Sequence, residues 1–501
     1  MSRIWSAQQQ RIFEWFQGSG TVQTLKNLVV RARAGTGKTT TIVAGANLAP
    51  EKSILICAYN KRIAEELVAR VTNPAVQVKT LHSVGYAMCR LFWPNIKCSF
   101  TSERADALAE AVCGARAPDA IKRLVAKLHT KGREIAPHAT ERGSLIDLAV
   151  TFELEPDEAW VERGFDLDYV EARALEAMEL AATVKPVATG IDGSDMIFLP
   201  VRNHWLSKQY DLVLVDEAQD MTVAQLEIAQ GVCRGRMCVV GDDMQAIYGF
   251  RGADSESLDR LKTELGAAEL GLTTTYRCGR NIVALAQQLV PDFQCGASHD
   301  GEVLTLPMDK LTATAGPGDF VLSRLNAPLV SIAMSLLRMG KRTQIAGRDI
   351  GAGLKALVRK LKGRSVPDML AKIAAWEARE VARMEKAKRL DRIDAVHDQA
   401  EMLVSLTDGA RSVDEVIERI DALFTDDGLG QAGVITCSSV HRAKGLEADR
   451  VFVLWDTLKD HSQEEKNIRY VAITRAKHTL VQVLPNSPGP EPKPTDPGSG
   501  V

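Results

Sequence analysis

The sequence has no long apolar run and no apolar leader. Its uninterrupted apolar segments all fall short of the roughly 18 residues that a membrane-spanning helix needs. The first residues, Met-Ser-Arg-Ile-Trp-Ser, lack the apolar core of a secretory signal. We therefore expect a soluble, cytoplasmic protein with no membrane partner.

Paired cysteines and an excess of charge are also missing. None of the nine cysteines stands in a Cys-x-x-Cys pair or in a Cys/His cluster at zinc spacing, so we expect reduced thiols. The formal net charge of −2 excludes a chain that is basic all over. Any site for a polyanion must then be a local groove. With 501 residues, 45% of them hydrophobic, the chain has room for roughly three or four domains with sizeable cores.

Short runs rich in β-branched residues alternate with helical stretches along the chain. This alternation predicts the α/β class, with parallel sheets covered by helices. The runs form two sets, which predicts two cores, each interrupted by a mainly helical insertion. The predicted strands cover residues 28–31, 54–57, 212–215 and 237–240 in the first core and 320–322, 434–436, 451–454 and 480–483 in the second.

The insertions and the tail set the predicted domain boundaries. Residues 374–403 form a charged helical stretch, which is either a solvated hairpin or a docking surface; the hairpin is the favoured interpretation. The proline-rich tail is predicted to be disordered. The predicted boundaries are 1–87 and 206–275 for core 1, 88–205 for its insertion, 276–351 and 431–484 for core 2, 352–430 for its smaller insertion, and 485–501 for the tail.

A glycine-rich loop follows the first predicted strand, with the run Ala-Arg-Ala-Gly-Thr-Gly-Lys-Thr at 32–39. Glycines let backbone N–H groups approach phosphate oxygens, and the following helix presents its N-terminus to the charge. Lys38 is predicted to reach the β- and γ-phosphates of ATP, and the Thr39 hydroxyl to bind Mg²⁺. The predicted nucleotide-binding residues of this loop are Ala34, Gly35, Thr36, Gly37, Lys38, Thr39 and Thr40.

Two acidic residues end a second buried strand, in the run Asp-Leu-Val-Leu-Val-Asp-Glu-Ala-Gln-Asp at 211–220. P-loop ATPases hold magnesium and orient the attacking water with such a pair. Asp216 is predicted to bind Mg²⁺, and Glu217 to polarise the water.

Four runs together resemble motifs of the UvrD/Rep-like superfamily 1A DNA helicases. They are Asp-Glu-Ala-Gln-Asp at 216–220, Gly-Asp-Asp-Met-Gln-Ala-Ile-Tyr-Gly-Phe-Arg-Gly at 241–252, Thr-Tyr-Arg at 275–277 and Val-Ala-Ile-Thr-Arg-Ala at 471–476. The resemblance implies two RecA-like cores and an ATP-dependent helicase that moves 3′ to 5′ on single-stranded DNA. It also implies a cytoplasmic protein that is associated with the nucleoid if the source is bacterial.

The resemblance assigns further residues to the nucleotide. Gln245 would sense the γ-phosphate, while Arg277 and Arg475 would neutralise its charge in the transition state. Since these arginines belong to core 2 and the P-loop to core 1, ATP would close a cleft between the cores. The remaining implied contacts are Gln9 with the adenine edge, Tyr276 with the face of the base and Glu447 with the ribose. Many relatives have an arginine where this chain has Thr40, so base selectivity is expected to be relaxed.

A second implied set of residues would grip the strand by stacking and by phosphate contacts. Any one of these side chains could instead be an ordinary core residue, and it is their order along the chain that favours the functional interpretation. The set comprises Tyr59, Thr80, His82, Phe250, Arg324, Asn326, His441 and Lys444.

The expected partners are single-stranded and tailed duplex DNA, with RNA not excluded by the sequence. Two other activities remain open: a translocase that strips proteins from single strands, and a nucleotide-switched binding module that turns over slowly. The intact set Glu217, Gln245, Arg277 and Arg475 argues against the switched module.

Overall fold

The computed structural model describes residues 4–19, 27–152, 154–186, 189–247, 257–386, 393–427, 430–431 and 433–486. The chain divides into two compact units, Met1–Thr275 and Tyr276–Val501. Each unit is built on one parallel sheet covered by helices, so the predicted α/β class with two RecA-like cores is confirmed. Phe250 and the tail beyond residue 486 lie outside the described residues.

A six-stranded parallel sheet forms the centre of the first unit, in the order β3-β2-β4-β5-β1-β6. The four predicted strands are its central ones, and their apolar side chains are buried on both faces. The strands of this unit are β1 (Leu28–Ala32), β2 (Ile54–Ala58), β3 (Val76–Thr80), β4 (Tyr210–Val215), β5 (Cys233–Gly241), β6 (Ala268–Leu272) and the short β7 (Thr274–Thr275).

Twelve helices accompany the strands in the described part of this unit. Those between β3 and β4 have their own hydrophobic core around Val125, Ala177 and Phe198, and the bound predicted at 87–88 falls within the first of them. The helices are α1 (Ala7–Gln17), α2 (Lys38–Leu48), α3 (Lys61–Val68), α4 (Leu81–Phe92), α5 (Glu103–Cys113), α6 (Asp119–Ile135), α7 (Ile146–Thr151), α8 (Glu158–Val161), α9 (Leu167–Thr183), α10 (Gly193–Arg202), α11 (Val223–Val232) and α12 (Ser257–Leu265).

The second unit contains a seven-stranded parallel sheet in the order β12-β11-β13-β10-β14-β15-β9. The four predicted strands again occupy adjacent positions within it. The strands are β8 (Gln294–Cys295), β9 (Glu302–Pro307), β10 (Phe320–Ser323), β11 (Thr343–Ala346), β12 (Phe424–Thr425), β13 (Ile435–Ser439), β14 (Ala448–Leu454) and β15 (Ala476–Leu484).

The helices of the second unit include two long ones in the predicted charged stretch. They are α13 (Arg280–Ala286), α14 (Met308–Thr314), α15 (Ala327–Arg338), α16 (Arg348–Leu361), α17 (Val366–Lys386), α18 (Ile393–Thr407), α19 (Val413–Leu423), α20 (Val440–Ala443) and α21 (Gln463–Ile473). In α17 and α18, Ile373, Trp376 and Leu403 are buried in the core that covers the sheet. The stretch is thus amphipathic rather than fully solvated. The boundary predicted at 351–352 falls within α16, and strand β12 lies inside the predicted insertion.

No helix in the described part of the chain combines the length and the apolar character that a bilayer crossing needs. All nine cysteines are free thiols, and Cys57, Cys238 and Cys437 are fully buried in the two sheets. The carboxyl ends of parallel strands meet at one edge of a sheet. The loops after β1, β2, β3, β4 and β5 therefore share one edge of the first unit, and the described site residues of this unit, apart from Gln9, lie in these loops or in the turns next to them.

Candidate functional site

The loop between β1 and α2 has the conformation of a phosphate cradle. Gly35 and Gly37 have φ angles of 68° and 82°, a left-handed region that favours glycine. Gly37 begins α2 without a side-chain cap, which leaves the first N–H groups of the helix available to an anion. A Cβ atom at Gly37 would lie 3.6 Å from Nε2 of Gln9, so the predicted adenine reader lies beside the loop.

Lys38 is buried at the start of α2 and pairs with the predicted base. Its Nζ atom lies 2.8 Å from Oε2 of Glu217. Burial alone would lower the pKa of Lys38, but the carboxylates of Glu217, Asp242 and Asp216 outweigh it and raise that pKa. The amine is therefore a fixed positive charge, as phosphate binding requires.

Thr39 and Asp216 are adjacent and offer oxygen ligands to a cation. The Thr39 hydroxyl donates to Oδ2 of Asp216 at 3.0 Å. Burial and the charge of Glu217 raise the pKa of Asp216 to about 6. The nearby cation therefore does not fully compensate the negative charge of this carboxylate. Mg²⁺ prefers one or two carboxylates together with water and substrate phosphates, and the pair fits that preference. Within the described residues, no group of three or more His, Cys, Asp or Glu side chains forms a closed metal site.

Glu217 has an unusual backbone conformation. Its φ and ψ angles are 53° and 43°, a left-handed conformation that is rare outside glycine. Its backbone N–H donates to Oδ1 of Asp216 at 3.0 Å, which helps to hold the turn. Strained residues of this kind cluster at functional sites, where the surrounding structure fixes them. Here the turn carries the carboxylate from the strand end to Lys38.

Hydrogen bonds link Lys38 and Glu217 to the predicted γ-phosphate sensor. The fully buried Gln219 donates from Nε2 to Oε2 of Glu217 at 2.7 Å and accepts at Oε1 from the backbone N–H of Asp242 at 3.0 Å. Oδ2 of Asp242 accepts from Nε2 of Gln245 at 2.6 Å. The structure thus brings together Lys38, Glu217 and Gln245, although Lys38 and Gln245 are more than 200 residues apart in the sequence. Gln219 and Asp242 connect them.

Two arginines that the sequence analysis missed hold the turn after β5. Nη1 of Arg33 lies 3.1 Å from Oδ1 of Asp242 and 2.7 Å from Oδ1 of Asp243. Nη1 of Arg31 lies 2.9 Å from Oδ2 of Asp243. Arg31 lies in β1, Arg33 lies in the loop after it and the Asp-Asp pair follows β5, but nothing in the sequence shows that these charges meet.

Gln9, predicted to contact the adenine edge, lies in the first turn of α1. Gln9 forms a capping box with Ser6, and its Nε2 atom donates to the Thr41 hydroxyl at 2.9 Å. The neighbouring Gln8 instead pairs through both amide atoms with Thr273. Gln9 is therefore the glutamine that contacts α2, as its predicted role requires.

The family resemblance implies an arginine at the position of Thr40 in many relatives. In this chain an arginine from elsewhere contacts the Thr40 side chain. Its hydroxyl accepts a hydrogen bond from Nη2 of Arg70 at 2.7 Å. Arg70 lies just beyond α3, and its ion pair with Glu66 is loose at 3.7 Å. A guanidinium thus lies beside the first turn of α2, although it comes from another part of the chain.

In the second unit, Arg277 and Glu447 form an ion pair. Nε of Arg277 lies 2.5 Å from Oε2 of Glu447, and Nζ of Lys477 lies 2.9 Å from Oε1. Burial would raise the pKa of Glu447, but Arg277 and Lys477 outweigh it and lower that pKa. Glu447, predicted to contact a ribose, is thus held ionised. Tyr276 is half exposed, and its ring can be reached from solvent.

Arg475 is almost completely buried, with a relative exposure of 1%. Its guanidinium donates to the carbonyl oxygens of Val471 at 3.0 Å and Leu446 at 3.1 Å and to the Thr474 hydroxyl at 3.3 Å. Burial and the nearby charge of Arg277 lower the pKa of Arg475 to about 10. Within the described residues its hydrogen-bond partners are all neutral. A buried cation of this kind is favourable when an anion binds beside it.

Tyr59, Thr80 and His82, the described strand contacts of the first unit, lie at the carboxyl edge of its sheet. Ala58 pairs in register with Thr80, so Tyr59 and Thr80 are near neighbours. The Thr80 hydroxyl also caps α4 by accepting from the Ser83 N–H at 3.2 Å. His82 follows in the first turn, and burial lowers its pKa.

Three of the predicted strand contacts in the second unit share one region. Burial, with the charges of Arg324 and Lys444, lowers the pKa of His441 to about 4. Asn326 has a different environment: it precedes α15 and donates from Nδ2 to Oδ2 of Asp398 at 3.1 Å. Asn326 therefore anchors α18 in this structure, and its predicted phosphate contact stays a prediction.

Comparison with known proteins gives two family matches. A model described as the UvrD/REP helicase N-terminal domain matches residues 16–266, and one described as the UvrD-like helicase C-terminal domain matches residues 434–483. Both matches include motifs described above: the loop at 32–39 and the Asp216–Glu217 pair fall in the first, and Glu447 and Arg475 in the second.

Several curated proteins are similar along most of the chain. The F-box DNA helicase protein 1 of Schizosaccharomyces pombe is 24% identical over 510 residues, 91% of this chain and 55% of that protein. The F-box DNA helicase 1 of Gallus gallus is 25% identical over 506 residues, 90% of this chain and 47% of that protein. The ATP-dependent DNA helicase UvrD2 of Mycobacterium tuberculosis is 25% identical over 566 residues, 92% of this chain and 77% of that protein. The chain thus spans about half the length of the two F-box relatives.

Proposed function

This chain belongs to the UvrD/Rep family of helicases, and from that membership we propose that it is an ATP-dependent DNA helicase. It would hydrolyse ATP in response to single-stranded DNA, move along the strand and separate duplexes. The proposed direction, 3′ to 5′, rests on the family resemblance of the motifs. The proposed place of action is the compartment that contains the DNA of the cell. If the source is bacterial, this is the cytoplasm, where the protein would be associated with the nucleoid.

The observation that carries the proposal is the connected set of polar residues around Lys38. Nζ of Lys38 and the amide of Gln219 both donate to Oε2 of Glu217, at 2.8 and 2.7 Å. Such an arrangement combines a cation for phosphate oxygens with a carboxylate that can orient and deprotonate water. The same edge holds Thr39 and Asp216, which would bind Mg²⁺. When bound, Mg²⁺ neutralises phosphate charge in ATPases of this class.

The remaining nucleotide roles are proposed residue by residue. Lys38 would leave Glu217 and bind the β- and γ-phosphates, which frees the carboxylate to accept a proton from the attacking water. Gln245 would report the γ-phosphate, and Arg277 and Arg475 would stabilise the charge that develops on it. The proposed base and ribose contacts are Gln9, Tyr276 and Glu447.

The strand-binding roles are supported by position. Tyr59, Thr80 and His82 follow neighbouring strands at the edge of the sheet that also carries the phosphate loop. An aromatic side chain beside polar groups suits a single strand, whose bases stack without sequence preference. Arg324 and Lys444 add positive charge in the second unit. Single-stranded and tailed duplex DNA are the proposed partners.

The decisive measurement is the steady-state ATPase rate with no nucleic acid, single-stranded DNA, single-stranded RNA and blunt duplex DNA. The proposal predicts strong stimulation by single-stranded DNA, with Lys38→Ala as the inactive control. A slow rate that no strand stimulates would instead support a nucleotide-switched binding module.

Strand separation requires a second measurement. Duplexes with a 3′ or a 5′ single-stranded tail should be compared with a tailed strand that carries a tightly bound protein. Unwinding of the 3′-tailed duplex alone would support the helicase with the proposed polarity. Rapid displacement of the protein with little unwinding of either duplex would favour the stripping translocase.

A further inference from the structure

Arg33 occupies an unusual place in the phosphate loop. It is the second residue of the run 32–39, and its guanidinium turns away from the loop toward the turn after β5. Its side chain is 9% exposed, and Nη1 contacts both Asp242, at 3.1 Å, and Asp243, at 2.7 Å. Its backbone is fixed as well, since its N–H donates to the Leu272 carbonyl at 2.8 Å. Arg33 is therefore a rigid link between the loop and the turn.

Of the two aspartates that Arg33 contacts, Asp242 is the more deeply buried. It is completely buried, and it accepts from Nε2 of Gln245 at 2.6 Å and from the Met244 N–H at 3.2 Å. Its own N–H donates to Gln219, which in turn donates to Glu217. The Asp242 carboxylate thus positions the Gln245 amide, and the Asp242 backbone N–H positions Gln219 and, through it, the proposed base.

Two cations compensate the buried Asp242 carboxylate: Lys38 acts through space, and Arg33 makes direct contact. A bound nucleotide would draw Lys38 to its phosphates. Arg33 would then still lie in direct contact with Asp242, since it pairs with Asp242 and Asp243 and has no proposed contact with the nucleotide. A buried carboxylate without a cation is strongly unfavourable and would move or take up a proton.

We propose that Arg33 is a positioning residue for ATP hydrolysis: it holds Asp242, and so Gln245 and Glu217, in place when Lys38 engages the nucleotide. This inference rests on the proposed ATPase function and deepens it. The effect should appear in the chemical step rather than in nucleotide binding, because Arg33 acts on the groups that meet the γ-phosphate and the water.

The test compares Arg33→Gln, which removes the charge, with Arg33→Lys, which keeps it. Arg31→Gln is the matched control, since Arg31 lies two residues earlier on β1 and contacts Asp243, Asp259 and Glu269 but not Asp242. ADP binding stoichiometry counts the folded sites in each preparation, and the ATPase rate with saturating single-stranded DNA is expressed per ADP site. A purely structural role would reduce the number of sites and the melting temperature but not kcat per site.

We expect Arg33→Gln to lower kcat per site by about 10- to 100-fold, as small displacements of reacting groups do. KM for ATP should change by less than about threefold. Arg33→Lys should recover most of kcat, and Arg31→Gln should keep the parental kcat per site. Parental kcat per site in Arg33→Gln, or a loss as large in Arg33→Lys, would overturn the proposal.

Two further outcomes are distinguishable from these. If Arg33→Gln yields no ADP sites, Arg33→Lys decides: near-parental kcat supports the proposal, and a loss of about tenfold or more refutes it. If the parent chain itself shows no ATP hydrolysis, the proposed function fails before Arg33 is tested.

Discussion

Replacing Glu217 by glutamine separates nucleotide binding from hydrolysis. Oε2 of Glu217 accepts from Nζ of Lys38 at 2.8 Å and from Nε2 of Gln219 at 2.7 Å. Glutamine has the same size and can still accept one of these hydrogen bonds, but it carries no charge and cannot take a proton from water. The substitution therefore removes the proposed base while leaving the phosphate loop intact.

The magnitude follows from the two lost interactions. A positioned general base contributes about 10²- to 10⁴-fold in rate, or about 3–5 kcal/mol of the barrier. A hydrogen bond to a charged group is worth about 1.5–3 kcal/mol, and part of that restrains Lys38 before ATP arrives. With the charge gone, Lys38 is released more readily, so ATP and ADP should bind as tightly as in the parent or up to about tenfold more tightly.

The assay is the strand-stimulated ATPase rate together with ADP affinity by calorimetry. Glu227→Gln is a suitable control, because Glu227 lies in the same unit and pairs at the surface with His138. We expect it to match the parent in both measurements. Hydrolysis by Glu217→Gln at the parental rate would refute the assignment of Glu217 as the base. A large loss of ADP affinity would show that Glu217 organises the loop rather than the water.

Three further predictions test other parts of the molecule. Arg277→Ala and Arg475→Ala should each lower kcat much more than ATP affinity, because both are proposed to act on charge of the transition state; lost affinity at unchanged kcat in both would contradict this. GTP and CTP should support a measurable fraction of the ATP rate, since Thr40 cannot cover a base, and GTP turnover below detection would instead implicate Arg70, which lies beside Thr40. Burial lowers the pKa of His129 to about 3, whereas the unfolded chain takes up a proton near 6.5. The stability that this neutral histidine provides is complete above about pH 6.5 and falls as pH is lowered, by about 2 kcal/mol at about pH 5. Chemical denaturation above about pH 6.5 and at about pH 5 measures this loss of stability. The loss should be smaller in His129→Gln, and an equal loss would show that His129 is not its cause.

The predicted strands and the unpredicted strands differ in their position within the sheet. Strands β1, β2, β4 and β5 were predicted, and all are central strands with apolar residues on both faces. The unpredicted β3 and β6 are the edges of the same sheet. Their sequences, Val-Gln-Val-Lys-Thr and Ala-Glu-Leu-Gly-Leu, mix polar and apolar residues because one side of an edge strand faces solvent or loops.

The same logic explains the second sheet. The edge strands β9 and β12 were missed. Strand β12 has only two residues, Phe424 and Thr425, and it follows α19 directly. A two-residue strand has no period that a sequence pattern could reveal, and only its pairing with β11 identifies it. For this reason the predicted second insertion, 352–430, includes strand β12.

The candidate site divides into parts that local sequence could and could not reveal. Motif resemblance identified Lys38, Glu217 and Gln245, and the structure joins them by hydrogen bonds. It could not identify Arg33, whose significance comes from contacts with aspartates about 210 residues away in sequence. Charge alone gave no signal, because an arginine is ordinarily a surface residue, and only the fold shows that this one is buried.

The buried charges of the two units show why such a site persists although it costs stability. Asp216 is a buried carboxylate with its pKa raised to about 6, and Arg475 is a buried guanidinium whose hydrogen-bond partners in the described structure are all neutral. Each charge would be better placed in water, since burial without full compensation is unfavourable. The first is suited to a cation and the second to an anion, which are the contacts proposed for Asp216 and Arg475 in their own units. Binding of such an ion in either unit would offset the cost of the buried charge and so raise the stability of that unit.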